Sequence, residues 1–139
     1  MKFSTKGRYG LRAMLEMAAN RGDGPLAMHT IAKNQGISER YLEQLLIPLK
    51  RAGMVKSVRG SQGGYVLKRA PEDITVGDIV RVLEGPIAPV DCVNELDPET
   101  CSRSELCVTR RIWTEVRDSV SSVLDSYTLA DLVQQSRES

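Results

Sequence analysis

Residues 36–67, GISERYLEQLLIPLKRAGMVKSVRGSQGGYVL, decide the fold of this chain. Ser38 is a favourable helix N-cap, and Gly53 is a natural helix stop. The apolar positions between them lie on one helical face, at Leu42, Leu45, Leu46 and Leu49. Residues 54–59 alternate like a strand, and a glycine-rich turn separates them from the second apolar run, 65–67. A helix followed by such a hairpin is typical of a winged helix-turn-helix.

Two shorter patterns precede this stretch. Residues 5–19 place apolar side chains on a helical stripe, with Ser4 or Thr5 as the N-cap, and the turn cluster 21–25 ends this helix. A second helix is predicted from about residue 29 to residue 34. Gly36 follows it and suits the tight turn between two helices of a helix-turn-helix.

Charge is distributed unevenly along the chain. Residues 1–70 carry 13 Lys and Arg against four acids, a net charge of +9, whereas residues 71–139 carry six Arg against 14 acids, a net charge of −8. A basic half is the electrostatic footprint of a polyanion binder, and chance clustering on solvated faces is the alternative. No apolar run approaches a membrane span, and the N-terminus lacks a signal-peptide core, so we expect a cytoplasmic protein with no membrane association.

The polar face of the second helix of the helix-turn-helix is the predicted base-reading surface. Gln44 suits adenine, Arg40 suits guanine and Glu43 suits the N4 donor of cytosine. Arg59, at the mouth of the wing, suits a narrow minor groove. The full set of predicted DNA-binding residues is Ser38, Arg40, Tyr41, Glu43, Gln44, Ser57, Arg59, Ser61, Lys2 and Thr5. An ordinary amphipathic helix with a solvated face remains the alternative.

The acidic half predicts a dimerisation element. Thr75–Asp78 resembles a capping box that opens a short helix. In the later run 110–127, apolar residues recur at spacings of three and four, at Trp113, Val116, Val120, Val123 and Tyr127. That seam predicts a partner helix from a second copy, although it could pack on its own domain. The predicted fold class is mainly α with a small β-wing: a DNA-binding domain over 1–84, a loop over 85–108, and a dimerisation helix with a short final helix over 109–139.

All three cysteines lie in the loop, at Cys92, Cys101 and Cys107, within a polar and acidic segment that has little to pack with. Soft thiolates select zinc, cuprous copper or iron–sulfur clusters. Structural zinc sites usually show closely paired cysteines, which these spacings of eight and five do not provide. The pattern favours a metal or cluster loop, and a set of redox thiols without a cofactor is the alternative.

The chain resembles the Rrf-two family of winged-helix repressors. The resemblance rests on residues 1–18, 36–67 and 74–86 (ITVGDIVRVLEGP) together with the three cysteines, and YLEQL and VRGxxGGY are its most specific motifs. Within the family the chain most resembles IscR-type iron–sulfur regulators. The CymR-type regulators of cysteine metabolism share the STKGRYGL and RVLEGPI signatures but lack the cysteine loop.

The resemblance implies a homodimeric repressor that binds a palindromic duplex operator, carries a 2Fe–2S cluster on Cys92, Cys101 and Cys107, and controls genes of cluster assembly. The fourth ligand is unassigned, because Arg110 stands where IscR-type proteins have a histidine and Arg8 where a nitric-oxide-sensing branch has an acid. Candidate replacements include a small thiol, water and the nearby carboxylates Asp91, Glu95, Asp97, Glu99 and Glu105. The alternatives are a cluster-free or thiol-responsive regulator of cysteine metabolism and, from another class, an iron–sulfur carrier; no enzymatic constellation is visible.

Overall fold

The computed structural model of the protein describes residues 3–95 and 108–138. The helices are α1 (Thr5–Ala19), α2 (Met28–Gln35), α3 (Glu39–Arg51), α4 (Val76–Glu84), α5 (Val108–Asp125) and α6 (Leu129–Glu138). Strands β1 (Val55–Val58) and β2 (Gly64–Leu67) form a hairpin, and short 3-10 turns cover Pro71–Asp73 and Asp91–Val93. The mainly α fold class with a small β-wing is confirmed.

Local capping explains where the helices begin. The Ser4 hydroxyl accepts a hydrogen bond from Lys6 N at the start of α1, and Ser38 accepts one from Tyr41 N at the start of α3. Thr75 and Asp78 form the reciprocal capping box that the sequence predicts for α4. Gly36 adopts a φ of 68°, so the turn between α2 and α3 uses a left-handed conformation that favours glycine.

One main hydrophobic core joins the N-terminal helices to the end of the chain. The inner face of α3 is almost completely buried, as the leucine spacing predicts, at Leu42, Leu45, Leu46 and Leu49. Met14, Ile31 and Ile79 pack into the same core. Leu129 and Val133 of α6 belong to it as well. The last helix therefore returns to the N-terminal half of the chain, and it continues to Glu138.

The hairpin is antiparallel, with Val55 opposite Leu67 and Val58 opposite Gly64. Leu26, in the segment before α2, adds one more backbone bridge through reciprocal hydrogen bonds with Tyr65 of 3.0 and 2.8 Å. A side chain at position 64 would overlap the Leu26 carbonyl, so glycine permits this approach. The wing is thereby attached to the domain along β2, and its tip projects freely.

The apolar seam of α5 divides between two surroundings. Val120 and Leu124 pack against Val76, Val80 and Ile87 of the same chain. Other apolar residues of α5 and of the turn that follows remain exposed, namely Val108, Ile112, Trp113, Val123 and Tyr127. None of the α5 side chains, all of which the structure describes, is fully buried. No helix in the described part of the chain is long and apolar enough to cross a membrane.

Helices α1 and α4 pack closely because two small residues of α1 face α4. Gly7 lies against the Glu84 side chain, and a Cβ atom at Gly10 would overlap the Cδ1 atom of Leu83. Gly10 has no positive φ, so its role is to make space and not to relieve backbone strain.

Replacing Gly10 with alanine is therefore expected to destabilise the fold by about 1–3 kcal/mol, even though alanine is the better helix former. Chemical denaturation measures the change. Arg8→Ala is the matched control on the same helix, since Arg8 is exposed and its replacement creates no overlap. A Gly10→Ala protein as stable as the parent would contradict the close packing of α1 on α4.

Candidate nucleic-acid interface

The outer face of α3 presents a contiguous polar surface. Ser38, Arg40, Glu43 and Gln44 are all exposed, while the leucines on the opposite face hold the helix in the core. Arg40 and Gln44 have no hydrogen-bond or ion-pair partner among the described residues, so their donors are available to base edges. The structure thus places four of the predicted contact residues together on one face.

The wing lies beside the C-terminal end of α3. Lys50 Nζ donates to Ser57 Oγ across 3.2 Å, which joins the last turn of α3 to β1. Ser57, Arg59 and Ser61 are exposed on the hairpin, and Arg59 has no partner within the described ranges. Gly63 allows no side chain, because a Cβ there would overlap the Val58 carbonyl oxygen. A narrow tip with a free arginine suits the minor groove.

Two of the residues predicted to contact DNA, Thr5 and Tyr41, are hydrogen-bonded to each other. The hydroxyls of Thr5 and Tyr41 lie 2.7 Å apart, and the Tyr9 ring meets the Tyr41 ring edge-on with centroids 6.3 Å apart. Tyr41 is only half-buried, so part of its ring remains available for a ligand. This pair joins the start of α1 to the first turn of α3. Lys2, the remaining predicted contact, lies outside the described residues.

Glu84, for which the sequence carries no local signal, holds the start of α1. The Glu84 carboxylate, at the end of α4, accepts hydrogen bonds from Gly7 N at 2.8 Å, from Ser4 N at 3.2 Å and from the Ser4 hydroxyl. Burial raises the pKa of Glu84, but the Ser4 and Gly7 hydrogen bonds outweigh it and leave the pKa below its usual range. A carboxylate at a helix N-terminus also interacts favourably with the helix dipole.

A second missed group connects α4 to α5 and to the loop. Arg81 Nε lies 2.7 Å from Glu95 Oε1, and Arg81 Nη1 lies 2.6 Å from Asp125 Oδ1. Glu95 also accepts a hydrogen bond from Ile87 N at 2.8 Å. The hydrogen bonds that Arg81 donates to Asp125 and Glu95 raise the pKa of Arg81, and the bond that Glu95 accepts from Arg81 lowers the pKa of Glu95. No sequence signal links these residues, which are 14 and 44 positions apart.

The described end of the cysteine loop shows how Cys92 is held. Cys92 is half-buried in the Asp91–Val93 turn, and Arg110 of α5 donates from Nη2 to its carbonyl oxygen across 3.3 Å. Arg117 donates to the Val93 carbonyl at 3.2 Å. Two arginines of α5 therefore bind the backbone of this turn.

The donor set at this end of the loop does not form a four-ligand cluster site. Arg110 occupies the position of the expected histidine, and a guanidinium offers no lone pair to a metal. Glu95 is engaged by Arg81, and His29 is exposed in α2. No group of three His, Cys, Asp or Glu side chains within residues 3–95 and 108–138 is arranged to hold a metal ion. Cys101, Cys107, Asp97, Glu99 and Glu105 lie outside those residues, so the predicted cluster stays a prediction.

Helix α3 with its exposed polar face and the attached wing define the class of winged-helix DNA-binding proteins. The chain belongs to the Rrf2 family, described as iron-dependent transcriptional regulators, whose profile matches residues 3–135. The resemblance noted from the sequence is therefore confirmed. The chain is a transcriptional regulator, and regulators of this family bind DNA and are typically dimeric.

Members of both branches are similar over nearly the whole chain. The HTH-type transcriptional regulator CymR of Bacillus subtilis is 52% identical over 132 residues, which are 95% of this chain and 89% of CymR. The structure of CymR, called the global cysteine regulator of B. subtilis, has a TM-score of 0.84 at 50% identity and covers 97% of this chain and 98% of that one. IscR of Erwinia tasmaniensis is 38% identical over 133 residues, 96% of this chain and 79% of IscR. The T. potens IscR structure has a TM-score of 0.81 at 48% identity, and the match covers 99% of this chain and 90% of that one.

Gln44→Ala is expected to relax base preference at one operator position by about 1–3 kcal/mol, because a bidentate contact to adenine would be lost. Competition between duplexes that differ at single base pairs measures this change.

Arg59→Ala is expected to weaken binding and to reduce any preference for a narrow minor groove. Ser61→Ala is the matched control on the same hairpin, since it removes no charge. If Arg59→Ala binds like the parent at physiological salt, the wing does not contact DNA as assigned.

Glu95→Gln is expected to destabilise the protein at pH 7 by about 1 kcal/mol, because the partly exposed pair with Arg81 is lost. The pKa of Glu95 is lowered from 4.5, so its contribution is complete above that value and disappears as the pH falls through the lowered pKa. Urea unfolding across pH 3–7 should therefore show parent and variant converging at the acid end. Glu115→Gln, on the exposed face of α5, is the control. Its free energy of unfolding should equal that of the parent at every pH.

Proposed function

We propose that this chain is a homodimeric repressor that binds a palindromic operator and controls genes of cysteine or sulfur metabolism in response to thiol chemistry. This proposal takes up the CymR-like alternative of the sequence analysis. The observation that carries it is the hydrogen bond that the Arg110 guanidinium donates to the Cys92 carbonyl. Arg110 stands at the position where an IscR-type regulator has a ligand. The similarity to CymR over nearly all of both chains supports the same choice.

Dimerisation is supported by the exposed apolar residues of α5. Ile112 is 53% exposed and Val123 is 58% exposed, which is costly for large apolar side chains that recur along one helix. A second copy of α5 would cover them and relate two recognition helices by a two-fold axis. Such an arrangement matches a palindromic operator.

The cysteines would then act as thiols. Cys92 lies within the Asp91–Val93 turn, whose backbone two α5 arginines bind, and Glu95, three residues later, is bound by Arg81 of α4. A change at the cysteines therefore has a physical route to α4 and to the dimer helix. Reduced and oxidised forms that differ in DNA affinity would set the transcriptional output.

A second candidate function is iron–sulfur sensing by a cluster on Cys92, Cys101 and Cys107. The clustering of all three cysteines in one polar loop favours it, as do the family description and the T. potens IscR structure. A cluster would supply redox or ligand-loss sensitivity when bound. Its fourth ligand would have to come from somewhere other than Arg110.

Anaerobic purification from cells that assemble iron–sulfur clusters distinguishes the two candidates. For the thiol-responsive repressor we expect protein without stoichiometric iron, sulfide or visible absorption bands. Its operator affinity should fall at least about tenfold on mild oxidation and recover with a reductant. The triple variant Cys92→Ser, Cys101→Ser, Cys107→Ser should bind DNA like the reduced parent and ignore the oxidant. Stoichiometric iron and sulfide whose bands disappear in Cys92→Ala would contradict the proposal and support the second candidate.

Genomic fragments recovered with the protein test the regulated genes. Enrichment upstream of cysteine or sulfur metabolism genes is expected, whereas enrichment confined to cluster-assembly genes would favour iron–sulfur sensing.

A further inference from the structure

We propose that a cleft between α1, the Pro71–Asp73 turn and α6 binds a free α-amino acid. The cleft has a volume of about 420 Å³, within the range of small-molecule sites. None of its lining residues belongs to α3, to the wing or to the described end of the cysteine loop.

The floor of the cleft is apolar and its rim is charged. Ala18, Pro71 and Val133 are buried at the floor, and Arg21, Glu72 and Arg137 are exposed around it. The floor can cover the aliphatic part of a small ligand. The rim offers two guanidinium groups and one carboxylate, which is the complement of a carboxylate and an ammonium on the same small molecule.

The charged groups at the rim are not used within the protein. Arg21, Glu72 and Arg137 share this cleft, yet none of the arginine nitrogens lies within 4.0 Å of a Glu72 oxygen. The neighbouring Arg69 donates to the Asp73 carbonyl oxygen at 2.6 Å, so it does not neutralise Glu72 either. Opposite charges that face one cleft without pairing leave room for a zwitterion between them.

The position of the cleft gives binding a structural consequence. α6 enters the main core through Leu129 and Val133, and α1 carries Thr5 to its hydrogen bond with Tyr41 of α3. A ligand that joins Arg137 of α6 to Arg21 beyond the end of α1 would hold these two helices together. The inference rests on the proposed function only for its regulatory meaning, because binding itself requires neither DNA nor the cysteines.

Calorimetric titration of the full chain without DNA, under reducing conditions, tests the site with each standard L-amino acid in turn. We expect at least one to bind with one site per chain and to raise Tm. Glu72→Gln and Arg137→Ala should each weaken that binding by at least about tenfold, since each removes a charge-assisted contact. Arg51→Ala, an exposed arginine on α3, is the control and should bind like the parent.

Propionate and propylamine, each with only one of the two charges, should bind at least about tenfold more weakly than the amino acid. The assignment is overturned if no amino acid binds with a Kd below about 1 mM, if binding survives both substitutions, or if propionate binds equally well. Circular dichroism confirms that each variant is folded. Because the triple cysteine variant should bind the amino acid like the parent, failure of the thiol-responsive proposal leaves this result unaffected.

Discussion

Helix α1 packs closely against α4, and the glycines at positions 7 and 10 make this short separation possible. The other elements are held in place through their contacts with these two helices. The Glu84 carboxylate at the end of α4 binds the first turn of α1 through Ser4 and Gly7. From the same turn, the Thr5 hydroxyl reaches the Tyr41 hydroxyl at the beginning of α3. One turn earlier on α4, Arg81 binds Glu95 of the loop and Asp125 of α5. A single short helix therefore contacts α1, the described end of the cysteine loop and α5.

This arrangement assigns different physical roles to the two halves of the chain. In the proposed DNA complex, the basic half would attract the phosphate backbone and present side chains to the grooves, so its charge would contribute affinity that depends on salt. The acidic half contributes carboxylates that pair with arginines inside the protein, as Glu95 and Asp125 do with Arg81. Glu95 and Asp125 therefore connect elements within the protein.

The sequence predicted features that depend on local interactions. Ser38 and the Thr75–Asp78 box cap their helices, and the α3 leucines and the wing glycines follow periods and turn preferences that a short window contains. The Arg81 group and the Thr5–Tyr41 pair could not be predicted, because their members are far apart in sequence and meet only in the folded chain. The α5 seam was predicted only in part, because its spacing indicates an apolar face but not what covers that face. Val120 and Leu124 pack on α4 of the same chain. Ile112 and Val123 stay exposed.

The central claim is that two copies of this chain read a symmetric duplex with α3 and the wing. Selection of binding sites from a random duplex library, followed by hydroxyl-radical footprinting of the selected site, tests it most directly. The account predicts an inverted repeat whose protected half-sites are separated by about 10 base pairs or a multiple of that spacing. Selected duplexes without a repeat, or a single unsymmetrical footprint, would contradict the claim.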